Sequence, residues 1–309
     1  MTPAGESLER SWDEQLAFFE GENGASLFGV FTVPSYRLPD RAALILSGGG
    51  YIGSINRNGL STRICREFAS AGQSAFRFDW HGVGDSTGWV SRFELDRPFV
   101  SDFTGAASWV RSQGVREFTI VGSCFGARTA LAGAELIEGV QRLVLISLSL
   151  GTTATAAGAR LADKRSLFEE ARRTLRPAVF KKILRRDWWR AALGFVMAKM
   201  GLISATGSRS DGWGVNVTRP RLNPDVLTAL RGAAAAHISV LLLYGEEDDE
   251  YCEFKEAQDQ GWLDDILSLE KLQVQVLPGR VHQPVRIEAQ NAVLHSVMGW
   301  TLQPHGGEK

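Results

Sequence analysis

Short apolar runs separated by segments of helical length recur along most of this chain, and that alternation restricts the fold more than any other feature. The runs are residues 42–46, 74–78, 118–121 and 143–146, joined late in the chain by 238–244 and 272–277. Buried strands alternating with helical patterns imply βαβ units and a mostly parallel sheet. Ahead of them, residues 16–33 read as a hairpin, two apolar stretches around Glu20-Gly21-Glu22-Asn23-Gly24 with Asn-Gly as the turn signal. Residues 285–302 close the chain with helical periodicity.

One region breaks the rhythm. Between residues 150 and 237 no strand pattern occurs, whereas Phe168, Ala171, Leu175 and Val179 are spaced for an amphipathic helix, and Pro177 starts a new helix or kinks that one. The expected architecture is therefore α/β. A core of residues 1–150 and 237–309, its mostly parallel central sheet flanked by helices, would carry a helical cap inserted at 151–236. Residues 151–200 hold twelve Lys or Arg against four Asp or Glu, a net of +8 in a chain whose total is −1, so the remainder carries −9. Asymmetry of that size points to an acidic partner for the cap, or to a solvated helix face.

Composition bounds the function. With 44% hydrophobic and 22% charged residues, the 309-residue chain is an ordinary globular protein able to bury a large core. Its balanced charge gives no pull toward nucleic acid or anionic membrane. No run of 18 apolar residues predicts a membrane span, and the polar start does not resemble a signal peptide. Cys65, Cys124 and Cys252 are too few and too scattered for a disulfide framework or a thiolate zinc site. A cytoplasmic enzyme with reduced thiols, using no metal or organic cofactor, is the expectation.

The chemistry is carried by Thr119-Ile120-Val121-Gly122-Ser123-Cys124-Phe125-Gly126-Ala127, an apolar strand that runs into Gly-x-Cys-x-Gly and then into a helical pattern. A nucleophile on a sharp strand-to-helix turn crowds the residues two positions to either side, and glycine at both removes the colliding side chains. The turn also places Cys124 at a helix N-terminus, where the dipole and free N–H groups favour an anion. Cys65, in an apolar helical pattern, reads as core packing, and Cys252 has no assigned role.

A cysteine nucleophile needs a base, and the base an orienting acid. Of the five histidines, His282 follows the last strand directly, so it is the candidate base. His81, His237, His295 and His305 fall in a loop, before a strand, in the last helix and in the tail. The acid is expected after the preceding strand, in Gly245-Glu246-Glu247-Asp248-Asp249-Glu250, with Asp248 preferred and Asp249 the alternative. The oxyanion site needs two converging N–H donors. Phe125 supplies one, and Gly49, Gly50 or Tyr51 in the loop Ser47-Gly48-Gly49-Gly50-Tyr51 supplies the other. Trp188 and Trp189, with Phe195 and Met197, are candidates for lining an acyl tunnel, and Arg128 is a candidate for holding a substrate carboxylate.

Together the elbow at 122–126, the turn at 77–88, the acid turn at 245–248 and Gly279-Arg280-Val281-His282 resemble the α/β-hydrolase superfamily over nearly everything outside the cap. The turn at 78–88 looks like that of serine-aminopeptidase-type hydrolases. The chain is also similar to bacterial exosortase-associated hydrolases, which tend to carry cysteine at the elbow. Cysteine in place of the common serine implies acyl transfer through an acyl-cysteine, with acyl thioesters as substrates, since thiolate–thioester exchange is close to thermoneutral. A thioesterase acting on acyl carrier protein or coenzyme A conjugates is the leading expectation. An acyltransferase to an amine or alcohol, a carboxylesterase or lactone hydrolase, and a non-catalytic binding protein on a hydrolase scaffold are the alternatives.

Overall fold

A computed structural model of the protein describes residues 11–36, 40–49, 53–90, 92–152 and 222–303. All six apolar runs are strands and the hairpin is present. β1 (Trp12–Glu20) pairs antiparallel with β2 (Ser26–Pro34), Trp12 opposite Pro34 and Glu20 opposite Ser26. Its turn passes through left-handed conformations at Asn23 (φ 54°) and Gly24 (φ 76°), as the Asn-Gly signal requires. β3 (Arg41–Leu46), β4 (Ser74–Phe78), β5 (Glu117–Ser123), β6 (Val140–Ile146), β7 (Ser239–Gly245) and β8 (Leu272–Leu277) follow. The eight strands form one sheet in the order β1-β2-β4-β3-β5-β6-β7-β8, antiparallel at β1/β2 and β2/β4 and parallel from β4 through to β8.

The pattern of each strand follows from what covers it. Central strands such as β3 and β7 are buried almost throughout and read as unbroken apolar runs. β8 lies at the edge, and its Val274 and Val276 are partly exposed. One face of the sheet carries α1 (Leu60–Ser70) and the last helix, α7 (Ile287–Thr301). Their Ile64, Phe68, Val293 and Val297 pack with Ala43, Ile45, Ala75 and Val121. The other face carries α2 (Val100–Ser112), α3 (Phe125–Gly133) and α4 (Pro224–Ala235). Each such fully buried aliphatic or aromatic side chain contributes about 1.5–3 kcal/mol of transfer free energy. α5 (Asp249–Asp259) and the short α6 (Asp264–Leu267) bridge β7 and β8.

α2 also sets the loops in place. Asp102 is fully buried and accepts the backbone N–H groups of Glu22 (2.8 Å) and His81 (2.9 Å), with His81 Nδ1 at 2.8 Å. One carboxylate thus ties the β1/β2 turn and the loop after β4 to the same helix. His81, in the loop after β4, thus helps to hold that loop on α2.

The core resumes earlier than expected. α4 was assigned to the cap, but its Val226, Leu230 and Ala233 belong to the main core cluster. Gly151 bridges Leu222, and the Asn223 N–H donates to the Leu150 carbonyl at 2.7 Å, so the two ends of the interrupting segment meet at the body. The apolar spacing of α4 does not distinguish a helix on the sheet from a helix in a cap. Residues 153–221, including Trp188, Trp189, Phe195, Met197 and the basic stretch, lie outside the described residues.

Candidate active site

Because β3 and β5 to β8 run parallel, their C-terminal ends and following loops gather along one edge, where ligands of open α/β sheets bind. At the end of β5, Cys124 occupies φ 49°, ψ −113°, a region closed to most side-chain-bearing residues. Strain of this kind costs about 1–3 kcal/mol and persists where surrounding structure over-determines it. The Cys124 N–H donates to the Ile146 carbonyl (2.8 Å), and its carbonyl accepts the Arg128 N–H (3.1 Å), opening α3. A Cβ on Gly122 would lie 2.5 Å from the Gly126 carbonyl oxygen, and one on Gly126 would collide with the carbonyls of Leu46 and Ser47. Both glycines are therefore required by close approach, as the Gly-x-Cys-x-Gly spacing predicts.

The two other cysteines differ from this one. Cys65 is buried in α1, and burial pushes its thiol up to about 12, leaving it inert packing. Cys252 is exposed on α5. Cys124 is half-buried at the sheet edge.

His282 arrives beside Cys124 from the loop after β8, as expected. Its imidazole Nδ1 lies 3.0 Å from Glu250 Oε1. Nε2 is buried and makes no hydrogen bond to a described residue, and the Cys124 side chain acts on the ring from nearby. Burial by itself lowers the imidazole pKa. The neighbouring Cys124 and Glu250 side chains, through their interaction with the ring and their charges, outweigh it and raise the value from 6.5 to about 10. The imidazolium is thus the favoured form, placed between a sulfur and a carboxylate.

The carboxylate that meets the ring is not Asp248. Asp248 is buried (1% exposed), but its carboxylate accepts backbone N–H groups rather than the ring. Oδ1 takes Val281 (3.0 Å) and His282 (2.9 Å), and Oδ2 takes Gly245 (2.9 Å) and the Ser147 hydroxyl (2.9 Å). Asp249, the alternative, is exposed. Glu250, in the first turn of α5, reaches the ring because its longer side chain projects from the helix beside the loop, while Asp248 is spent on the loop's backbone. Sequence reasoning missed Glu250 and Ser147. The signal for Glu250 was present as the last of five consecutive carboxylates after Gly245, with nothing local to rank them.

The glycine loop after β3 lies against the elbow. Gly49 (φ 74°) lies so close to Phe125 that a Cβ would sit 3.1 Å from the Phe125 Cβ, and Gly48 abuts Ser123 and Cys124. Phe125 is the first residue of α3, so its N–H is among those a helix start leaves free. Gly50 and Tyr51 lie outside the described residues. Arg128, the candidate for a substrate carboxylate, is turned onto the protein's own backbone. It is buried, and its guanidinium donates to the carbonyls of Leu95 (3.2 Å), Ser149 (3.0 Å) and Gly151 (3.2 Å) and to Asp96 Oδ1 (3.3 Å). It clamps loops to α3, and burial lowers its pKa against the pull of Asp96 and Glu253.

A family model described as "Alpha/beta hydrolase family" matches residues 43–290. The chain belongs to the alpha/beta hydrolase family. Similar solved structures include an esterase of Pyrococcus furiosus, at 14% identity and TM-score 0.59 over 97% of this chain and 98% of that one. A proline iminopeptidase of Mycobacterium smegmatis gives 16% and 0.54 over 93% and 97%. A lidless a/b serine hydrolase of Xanthomonas campestris gives 17% and 0.53 over 98% and 100%. At these identities the likeness is one of fold. A search of curated proteins yields no match to the sequence. No helix among the described residues is long and apolar enough to cross a membrane.

Proposed function

We propose that this alpha/beta hydrolase family member cleaves acyl thioesters through an acyl-cysteine, with Cys124 as nucleophile, His282 as acid–base and Glu250 as the carboxylate that orients and charges the ring. The observation that carries this reading is the buried His282 imidazole, its Nδ1 3.0 Å from Glu250 Oε1 and its ring beside the strained turn that presents Cys124.

The Cys124 thiolate adds to the thioester carbonyl. Charge moves onto the carbonyl oxygen, where the Phe125 N–H and a donor from the Gly49–Tyr51 loop stabilise it. Collapse breaks the bond to the substrate sulfur, and the leaving thiolate takes a proton from the His282 imidazolium. In the second half, neutral His282 removes a proton from water, hydroxide adds to the acyl-cysteine, and collapse releases the carboxylic acid and the Cys124 sulfur. An amine or alcohol in place of water turns the same intermediate to acyl transfer. The esterase among the similar folds favours carboxyl esters as the second substrate class to assay.

Intact-protein mass spectrometry with a panel of acyl thioesters tests this. A mass gain of one acyl group on wild-type protein, with free acid as product, supports hydrolysis, and transfer of the acyl group to added amine supports transferase activity. Turnover of p-nitrophenyl esters with none of thioesters would replace thioesters by carboxyl esters. The basic stretch, which lies outside the described residues, would suit an acidic carrier protein or the phosphates of coenzyme A. Charge reversal at Arg172, Arg173, Lys181 and Lys182 is expected to raise KM for carrier-bound substrate while sparing a short neutral thioester. An equal change for both would remove this assignment.

A further inference from the structure

We infer that the two acid-turn carboxylates divide the work on His282, Glu250 acting on the ring and Asp248 serving as the positioning residue that fixes where the ring stands. This inference rests on the Cys124–His282 pairing and adds a residue whose role is mechanical.

The carboxylate of Asp248 is used up by donors from three strand ends. Ser147 after β6 gives its hydroxyl, Gly245 at the end of β7 its N–H, and Val281 and His282 after β8 their N–H groups. His282 N–H is shared between both oxygens, at 2.9 and 3.1 Å. Two further observations show how tightly this junction is built. A Cβ on Gly245 would stand 2.5 Å from the Gly279 carbonyl oxygen and 2.7 Å from the Val281 nitrogen, so the β7 and β8 loops are in contact. Ser147, fully buried, adopts φ 49°, a left-handed conformation that a serine holds only when its surroundings reward it. Its N–H donates to the Leu243 carbonyl at 2.8 Å while its hydroxyl meets Asp248.

A carboxylate so occupied has little left for an imidazole, whereas Glu250, two residues on, meets Nδ1 directly. Charge-assisted bonds to backbone N–H groups are strong and directional. With the His282 backbone anchored by Asp248, the reach from His282 Cα to the Cys124 sulfur is set before substrate arrives. A misplacement of about 1 Å in such a group costs on the order of 100-fold in rate.

The test compares Asp248→Asn, Glu250→Gln and Ser147→Ala by two readouts that use no acyl substrate, so their outcome is separate from whether thioesters are cleaved. The first is the downfield NMR proton resonance of His282 Nδ1–H, assigned by its loss in His282→Gln. Its loss or large upfield shift in Glu250→Gln, with persistence in Asp248→Asn, is expected. The second is the rate of Cys124 alkylation by iodoacetamide at pH 7 and 25 °C, well below the unfolding transition. Asp248→Asn is expected to slow it roughly 10-fold or more, and Ser147→Ala to slow it by a smaller factor, which keeps the test open should Asp248→Asn fail to fold. A role in folding stability alone would lower Tm and leave both alkylation rates unchanged, overturning the inference. Loss of the resonance in Asp248→Asn with its retention in Glu250→Gln would overturn it too, by making Asp248 the ring partner.

Discussion

The turn after β5 and the turn after β7 both carry the chain from a strand into a helix at the same sheet edge, yet they are held by opposite means. At Cys124 the backbone is forced into φ 49°, ψ −113° by crowding, and the residues around it are selected by what will not fit. At Asp248 the backbone is relaxed, φ −77°, ψ 139°, and the residues are selected by which donors they satisfy. A sterically defined turn leaves its mark at fixed spacing. A turn defined by hydrogen bonds depends on partners more than a hundred positions away in the chain, such as Ser147.

Substitutions of graded severity sharpen that contrast. Cys124→Ala should abolish acyl-enzyme formation and lower thioester turnover by at least about 1,000-fold with no loss of Tm, since alanine leaves the turn sterically unchanged. Glu250→Gln should lower kcat roughly 10- to 100-fold, and it should also change the pH dependence of stability. In the wild type the His282 pKa is raised to about 10 from an unfolded value near 6.5. Its contribution to stability is therefore complete below about pH 6.5 and lost as pH rises through about 10. Denaturant midpoints between pH 6 and 10 should fall with rising pH in the wild type and flatten in Glu250→Gln. Equal slopes would separate Glu250 from the ring.

Gly126→Ala should destabilise by about 3 kcal/mol, because the added methyl meets backbone carbonyls that cannot yield. Asp249→Ala, on the exposed side of the acid turn, should change stability by no more than about 0.5 kcal/mol and leave kcat intact. An Asp249→Ala variant as inactive as Glu250→Gln would break the assignment of the carboxylates.

The contrast also explains how much of the molecule could be read in advance. All eight strands, the hairpin and the last helix carry local periodicity, so their existence follows from the chain alone. Cys124, Phe125 and His282 are marked by glycine spacing and by position relative to strands. The acid is different. Gly245 to Glu250 offers Glu246, Glu247, Asp248, Asp249 and Glu250 within one turn, and only tertiary placement sends Asp248 to the backbone and Glu250 to the ring. Arg128 shows the same dependence on tertiary placement. One turn beyond the nucleophile it had the position of a substrate contact, but the carbonyls of Leu95, Ser149 and Gly151 converge on it from distant loops. All of α4 falls within the expected cap because the cap is bounded by the missing strand pattern, and a helix packed on the sheet lacks that pattern just as a cap helix does.

The most direct test of Cys124 as a nucleophile driven by His282 is peptide mapping after rapid acid quench of the protein mixed with an excess of acetyl thioester. One acetyl group per chain is expected on the peptide containing Cys124, absent in Cys124→Ala and formed far more slowly in His282→Ala. Acetylation at any other side chain, or an undiminished rate without His282, would contradict it.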